Sequence, residues 1–117
     1  MVIRQGEIYW VELSEPKGSE PGYRHPHIVL QNNLFNTSQI NTVVVCSLAT
    51  NLNRAKAPGN VLLSKGEANL SRKSVVNISQ IFTVNKMDLV AKIGQVSKNR
   101  LAEILDGLKL LTEPREV

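Results

Sequence analysis

The chain has 117 residues, which fits one domain with a single core and leaves little room for a second. Hydrophobic residues make up 42% and charged residues 21% of the chain, an ordinary globular composition that excludes fibrous and disordered classes. The formal net charge of +4 favours a polyanionic partner such as nucleic acid without requiring one. We expect one domain over residues 1–117.

One cysteine and the lack of long apolar segments bear on where the protein works. Cys46 is the one cysteine of the sequence, so no intramolecular disulfide can form, and we expect a reducing compartment. Because Cys46 lies in an apolar run, we expect its side chain to be a small buried hydrophobe. The first residues lack the apolar stretch of a signal peptide, and no apolar segment is long enough to span a bilayer. We therefore expect a cytoplasmic protein that does not contact a membrane.

Alternating apolar residues predict strands in the first half of the chain. The first two strands are predicted at Glu7–Leu13 and His27–Gln31, and a polar loop separates them. The segment from Asn32 to Gln39 is a loop with room for one helical turn. The third strand, Thr42–Leu48, is nearly continuous in apolar residues, which is typical of a strand covered on both faces.

The second half begins with a polar connection, Asn51–Gly59, and then alternates strands with turns. Further strands are predicted at residues 60–63, 74–77, 80–84 and 91–96. From Ser97, a suitable N-cap, apolar residues at helical spacing predict an amphipathic C-terminal helix: Leu101, Ile104, Leu105, Leu108 and Leu111. The predicted fold is mostly β with α, a small curled antiparallel sheet or barrel closed by this helix.

The loop between the first two strands carries the residues best suited to chemistry. Residues 18–26 read Gly-Ser-Glu-Pro-Gly-Tyr-Arg-His-Pro, and loops with such glycines and prolines on a rigid scaffold often carry binding and catalytic groups. Arg24 offers a fixed fork of donors to phosphoryl oxygens, Glu20 has the chemistry of a general base, and His25 could relay a proton. The alternative is a hairpin loop with solvated charges.

Several common site types are missing from the sequence. A Gly-rich phosphate loop, a Cys/His metal pattern and a serine nucleophile elbow do not occur. His25 and His27 would face the same way on an extended segment, but two ligands alone make a weak zinc site. The residues favour metal-free chemistry or none, and no cofactor is expected.

RNA supplies its own nucleophile, the ribose 2'-hydroxyl. A protein that positions this hydroxyl, takes its proton and neutralises the phosphorane can cut RNA without a metal. Arg24 could converge with Thr50 and Asn51, which follow the third strand. The residues thus permit metal-independent RNA cleavage.

Other side chains are candidates for holding the RNA. Arg54 and Lys56 suit phosphate contacts, with simple solvated charges as the alternative. Tyr23 and Trp10 could stack on unpaired bases, although we expect Trp10 in the core.

The first part of the chain resembles the opening of the MazF/PemK family of toxin endoribonucleases. The resemblance lies in residues 7–13, 18–26 and 29–33, and the family's order and spacing continue to the terminal helix. It implies a small SH3-like barrel of the CcdB/PemK type, usually a homodimer, that cuts single-stranded RNA at a short preferred sequence. The implied mRNA interferase needs no metal and leaves 2',3'-cyclic phosphate and 5'-hydroxyl ends. The resemblance also implies a cognate antitoxin with an acidic flexible tail.

The resemblance assigns roles to three residues and exposes one departure. Arg24 matches the motif arginine, Glu20 the motif glutamate and Gln80 a substrate-groove glutamine. The family's third strand usually ends Leu-Thr-Ser-Asn, whereas residues 48–51 here read Leu-Ala-Thr-Asn, which puts Ala49 at the catalytic threonine position.

Thr50 can replace the missing hydroxyl only if the strand ends or bulges there, since adjacent strand residues point to opposite faces. The alternative function is therefore a catalytically attenuated or non-enzymatic module of the same fold that binds an antitoxin or another protein target. A DNA-binding barrel is a third, weaker possibility.

Overall fold

The computed structural model describes residues 2–12 and 24–116. Its regular elements are six strands and two α-helices, joined in part by short 3-10 turns. In chain order they are β1 (Glu7–Glu12), β2 (Arg24–Val29), α1 (Asn33–Asn36), β3 (Thr42–Ala49), β4 (Val61–Leu63), β5 (Ser74–Asn85), β6 (Leu89–Gln95) and α2 (Lys98–Thr112).

The six strands form one curled sheet in the order β4-β5-β3-β2-β1-β6, and every neighbouring pair is antiparallel. The 3-10 turn Glu67–Asn69 lies between the two outer strands, where the Asn69 side-chain amide donates to the Ile93 carbonyl oxygen of β6 at 3.2 Å. Helix α2 packs against β4 and β5. This half-barrel with a terminal helix confirms the predicted fold class.

Both faces of β3 are buried, as its apolar run predicted. Cys46 and Leu48 belong to one apolar cluster, which includes Ile104 of α2, whereas Val43 and Val45 belong to a second. Burial raises the pKa of the Cys46 thiol to about 12, so this side chain is the inert hydrophobe expected from its position.

Several predicted strand boundaries are wrong. Strand β2 begins at Arg24 and not at His27, so the motif arginine lies on a strand and not in the preceding loop. The two strands predicted at 74–77 and 80–84 are one continuous strand, β5, and β6 begins at Leu89. The single helical turn after the second strand is confirmed as α1.

An irregular register in β5 explains why its pattern resembled two strands. From Cys46 to Leu48 is a step of two residues on β3, whereas the paired residues Ile81 and Val76 are five residues apart on β5. The residues between Val76 and Ile81 therefore bulge out of the ladder, which interrupts the alternation of buried and exposed side chains.

His27 is the buried histidine of β2. Its Nδ1–H donates to the His25 carbonyl oxygen at 3.0 Å, and its Nε2 has no hydrogen-bond partner among the residues described. The ring packs edge-on against Phe82 at a centroid distance of 5.7 Å. Burial is the main reason that the pKa of His27 lies below the ordinary value, and this imidazole is therefore neutral in the fold.

Within the two described ranges, no helix is long and apolar enough to cross a membrane.

We expect Gly107→Ala to destabilise the protein. A Cβ at Gly107 would lie 2.2 Å from the carbonyl oxygen of Gly59, so α2 would be pushed away from the loop that follows the 3-10 turn Leu52–Lys56. The gain in helix propensity, about 1 kcal/mol, is smaller than the packing cost, and we expect a net loss of about 1–3 kcal/mol in urea unfolding. Asp106→Ala, at the adjacent exposed position, should change stability by about 0.5 kcal/mol or less. A Gly107→Ala protein as stable as the wild type would contradict this close contact.

We expect the free energy of unfolding to fall as the pH is lowered from 7.5 to 5, in part because of His27. The unfolded chain binds a proton at the ordinary imidazole pKa of about 6.5, whereas folded His27 binds one only at lower pH. The stabilisation is therefore present above the unfolded pKa and is lost as the pH falls toward the folded one. His27→Phe keeps an aromatic ring but removes the titration, so urea unfolding at the two pH values should show a smaller acid loss in this variant. Equal acid losses in both proteins would refute the assignment.

Candidate active site

The site lies where β2 and β3 separate. Their pairing ends at His27 and Ser47. Beyond that pair, β2 continues only with β1, so that Pro26 pairs with Trp10, and β3 continues only with β5, so that Ala49 pairs with Val75. The two strand ends therefore open a space at the end of the sheet.

Pro26 explains why the pairing stops. The Leu30 N–H donates to the Val44 carbonyl oxygen at 3.0 Å, and antiparallel ladder bonds recur at every second residue. The same pattern would make the N–H of residue 26 the donor to the Leu48 carbonyl oxygen, but proline has no N–H. The His25 ring supplies the donor instead, because its Nε2 makes a hydrogen bond with the Leu48 carbonyl oxygen.

Two troughs meet at this opening, and His25 and Thr50 line both of them. The larger trough has a volume of about 500 Å³ and is lined by Trp10, Arg24, His25, Pro26, Leu48, Thr50, Asn69, Leu70, Ser71, Arg72, Ser74 and Ile93. The smaller trough has a volume of about 350 Å³ and is lined by His25, Ser47, Ala49, Thr50, Asn51, Arg54, Asn77 and Gln80.

The larger trough combines an apolar wall with two cations. Trp10 and Ile93 contribute apolar surface, and Arg24 and Arg72 contribute positive charge. The expectation that Trp10 lies in the core is wrong: its side chain is 38% exposed because its cross-strand neighbours on β2 and β6, Pro26 and Ala91, are small. An exposed indole beside guanidinium groups suits a nucleobase attached to a phosphate.

The 3-10 turn Glu67–Asn69 positions Arg72 at the larger trough. The turn lies against β6, where a Cβ at Gly94 would be 2.1 Å from the Ala68 carbonyl oxygen. The Glu67 carboxylate accepts a hydrogen bond from Arg100 Nε of α2 at 2.7 Å. Burial alone would raise the pKa of Glu67, but the Arg100 guanidinium lowers it below the ordinary value, which keeps this ion pair charged.

The smaller trough is built from the β5 bulge and the 3-10 turn Leu52–Lys56. The Asn51 side chain caps this turn by accepting from the Asn53 N–H at 3.1 Å. The Asn60 amide then joins the turn to the bulge: it donates to the Arg54 carbonyl oxygen at 2.9 Å and to Asn77 Oδ1 at 3.2 Å.

The charge of the two troughs is one-sided. Of the described residues that line them, the titratable ones are Arg24, His25, Arg54 and Arg72, and no carboxylate is among them. Guanidinium groups stay protonated at any pH the fold meets and bind phosphate oxygens in pairs. The opening is therefore suited to a phosphodiester chain.

The structure brings most of the predicted site residues to these troughs. Arg24 and Thr50 line the larger trough together, and Asn51, Arg54 and Gln80 line the smaller one. Strand β3 ends at Ala49 and Thr50 begins a bend, which meets the condition under which Thr50 can act in place of the residue before it.

The remaining predicted residues are not among those that line the troughs in the described part of the chain. Lys56 is exposed on the 3-10 turn and lines neither trough. Glu20 and Tyr23 lie outside the described residues.

Sequence reasoning missed Arg72 and underrated Trp10. The available signal for Arg72 was the pair of basic residues Arg72 and Lys73 in a polar segment immediately before a strand. For the coordination of a metal ion, the described part of the chain holds no group of three or more His, Cys, Asp or Glu side chains.

Known proteins are similar to this chain in both sequence and fold. Residues 4–112 match the family of PemK-like, MazF-like toxins of type II toxin–antitoxin systems. Endoribonuclease MazF6 of Mycobacterium tuberculosis is 40% identical over 109 residues, which cover 93% of this chain and 96% of the relative. Endoribonuclease MazF of Staphylococcus epidermidis is 32% identical over 109 residues, which cover 93% of this chain and 90% of the relative.

Solved structures with the same fold include a mycobacterial endoribonuclease, with a TM-score of 0.77, 22% identity and coverage of 99% of this chain and 97% of that one. A second, an endoribonuclease in complex with its cognate antitoxin, also from a mycobacterial species, has a TM-score of 0.77 and 23% identity over 97% of this chain and 99% of that one. At these identities the structures establish the fold, and the sequence matches establish the family. The chain belongs to the PemK-like, MazF-like toxins of type II toxin–antitoxin systems.

Proposed function

We propose that this protein is a metal-independent, sequence-specific endoribonuclease that cleaves single-stranded RNA and acts as the toxin of a toxin–antitoxin pair. The observation that carries the proposal is the opening between β2 and β3, where two troughs lined by Arg24, Arg54 and Arg72 meet without a facing carboxylate among the described residues. The relatives named endoribonuclease support the same activity.

Arg24 and Thr50 stabilise the transition state in this proposal. Both line the larger trough, and they would lie opposite each other if the pairing of β2 and β3 continued at its register. The guanidinium donates to the phosphoryl oxygens as they gain charge, and the hydroxyl donates a further hydrogen bond. The 2'-hydroxyl attacks the adjacent phosphorus and the 5'-oxygen leaves, which gives 2',3'-cyclic phosphate and 5'-hydroxyl ends.

The rest of the opening holds the RNA on either side of the scissile phosphate. Trp10 offers a stacking surface in the larger trough, and Arg72 offers a phosphate contact. In the smaller trough, Arg54 offers a phosphate contact, and the side-chain amides of Asn51 and Gln80 can read base edges. Lys56, Tyr23 and Glu20 stay sequence predictions for binding and catalysis.

The partners follow from the same charge. An antitoxin with an acidic flexible tail would compete with RNA for the cationic troughs, and this competition would keep the toxin inactive. We also propose that the protein works in the cytoplasm as a single-domain subunit of a homodimer, as the family resemblance implies.

We expect the purified protein, in EDTA, to cut a long unstructured RNA at discrete sites and to leave cyclic-phosphate ends. Arg24→Ala should lower the cleavage rate by about 100-fold or more, since it removes a donor to the phosphorane. Fragment ends are mapped by mass spectrometry, and a substrate with 2'-deoxyribose at the cleavage site should stay intact.

Arg115→Ala is the matched control, because Arg115 is exposed and its guanidinium lies 3.2 Å from Glu113, outside both troughs. Cleavage of the all-DNA strand, or an RNA cleavage rate that Arg24→Ala leaves unchanged, would overturn the proposed reaction.

A specific observation favours attenuated activity as the second candidate. Ala49 lines the smaller trough, where the family's usual threonine would present a hydroxyl. Thr50→Val keeps the shape of the side chain but removes its hydroxyl, and we expect about 100-fold slower cleavage. Adding Ala49→Thr to Thr50→Val should restore part of the rate, because a hydroxyl returns to the opening. Full activity in Thr50→Val alone would show that Thr50 does not act in place of Ala49.

A further inference from the structure

We propose that Asn77 selects the base bound in the smaller trough. It favours uracil or guanine, which carry a carbonyl oxygen at position 4 or 6, over cytosine and adenine, which carry an amino group there. The inference rests on the proposed function, because the ligand is single-stranded RNA, and adds a specificity-determining residue to it. Asn77 lies in the β5 bulge, between Val76 and Ile81, and lines the smaller trough.

The orientation of the Asn77 amide is fixed by that of Asn60. Asn60 Oδ1 accepts from the Ile78 N–H at 2.9 Å, and Asn60 Nδ2 donates to the Arg54 carbonyl oxygen at 2.9 Å. A backbone N–H only donates and a backbone carbonyl only accepts, so the Asn60 amide has one possible orientation. Its Nδ2 also donates to Asn77 at 3.2 Å, and the Asn77 atom that accepts this bond must be Oδ1.

The Asn77 Nδ2 amino group therefore remains for a ligand. Oδ1 is occupied by Asn60 and by the Ser79 hydroxyl, which donates to it at 3.4 Å. Nδ2 has no hydrogen-bond partner among the described residues, yet the one fully buried side-chain nitrogen or oxygen without a partner in those residues is His27 Nε2. Nδ2 consequently reaches solvent. Because Asn77 is only 6% exposed and lines the smaller trough, that solvent lies in the trough.

An amide held in this way offers donors and no acceptor. Uracil O4 and guanine O6 accept hydrogen bonds, whereas the amino groups of cytosine and adenine bring a further N–H toward the same donor. Cytosine or adenine would therefore leave Asn77 Nδ2 without a partner and would displace the water that could replace one. A mismatch of this kind discriminates strongly between ligands of similar shape.

The other amides of the smaller trough do not impose the opposite preference. Asn51 Oδ1 accepts from the Asn53 N–H at 3.1 Å, so the Asn51 amide also has its Nδ2 left as a donor. Gln80 is exposed and no described residue hydrogen-bonds its amide, so it can turn either end toward a ligand. Asn77 is the buried one among these amides, and its preference is therefore the strongest.

The closing experiment maps the base preference of wild type and two variants on an RNA with randomised positions around its cleavage site. Asn77→Asp keeps an oxygen for the Asn60 amide and replaces the donor by an acceptor, whereas Asn77→Leu has a similar size and offers neither. In wild type we expect uracil or guanine to be favoured by about 10-fold or more at one position. Asn77→Leu should lose this preference, and Asn77→Asp should reverse it toward cytosine and adenine.

Asn99→Asp is the matched control. It makes the same substitution at an exposed position of α2 that lines neither trough, and it should keep the wild-type preference. If Asn77 donated to a phosphoryl oxygen instead of a base, Asn77→Leu would lower the rate evenly for all bases. An even loss would overturn base selection.

Base analogues test the contact itself. Pyrimidin-2-one lacks the 4-carbonyl of uracil, and 2-aminopurine lacks the 6-carbonyl of guanine. The matching analogue at the selected position should slow cleavage by wild type by about 10-fold and leave cleavage by Asn77→Leu unchanged. Each effect is a ratio of two rates within one protein, so a loss of folded protein cannot produce it. An equal effect of the analogue on both proteins would overturn the assignment.

The outcomes also separate this inference from the proposed function. RNA cleavage by wild type, with the same base preference in Asn77→Leu and Asn77→Asp, would overturn the role of Asn77 and leave the nuclease intact. If wild type and Ala49→Thr, as folded proteins, cut no RNA, the nuclease is overturned, and Kd values of short RNAs that differ at one base test Asn77 alone. A Kd difference that Asn77→Leu abolishes would support base selection, and equal Kd values would overturn it.

Discussion

The site depends on one missing backbone donor, the N–H that Pro26 lacks. Without it the ladder between β2 and β3 ends at His27 and Ser47, although both strands continue with their other neighbours. The same absence leaves the Leu48 carbonyl oxygen to the His25 ring. A buried or half-buried carbonyl must find a donor, so the opening and the orientation of the imidazole arise from one constraint.

Two sets of polar contacts hold the turns around the opening in place. The Asn60 amide joins the β5 bulge to the turn that carries Arg54, and the pair of Glu67 and Arg100 ties the turn before Arg72 to α2. These contacts are polar and specific, and Arg54 and Asn77 themselves line the smaller trough. Holding three guanidinium groups around one space raises the energy of the unbound fold through like-charge repulsion, and a polyanion relieves it. RNA and an acidic antitoxin tail would therefore compete for the same guanidinium groups.

Most of the strands and the terminal helix were predictable from the sequence, because their apolar periodicity reflects two buried clusters. Boundaries that depend on pairing were not predictable. Pro26 was predicted to lie in a loop because proline is rare in strands, yet β2 accommodates it where the strand has no partner on one side. The β5 bulge erased the alternation on which one long strand would have been recognised. The exposure of Trp10 depends on the small residues opposite it, and a single sequence does not show which residues those are.

Register also explains why Arg24 and Ala49 line different troughs. At the spacing of the last β2–β3 pair, Arg24 would lie opposite Thr50 and His25 opposite Ala49, and alternation sends each pair to a different side of the sheet. Arg24 accordingly lines only the larger trough and Ala49 only the smaller one, whereas His25 and Thr50 lie at the junction and line both. A phosphodiester that crosses the junction from one trough to the other would pass His25 and Thr50, which line both. Ala49 lines only the smaller trough, whereas Thr50 lines both, so a hydroxyl at residue 49 would not be chemically equivalent to the hydroxyl of Thr50.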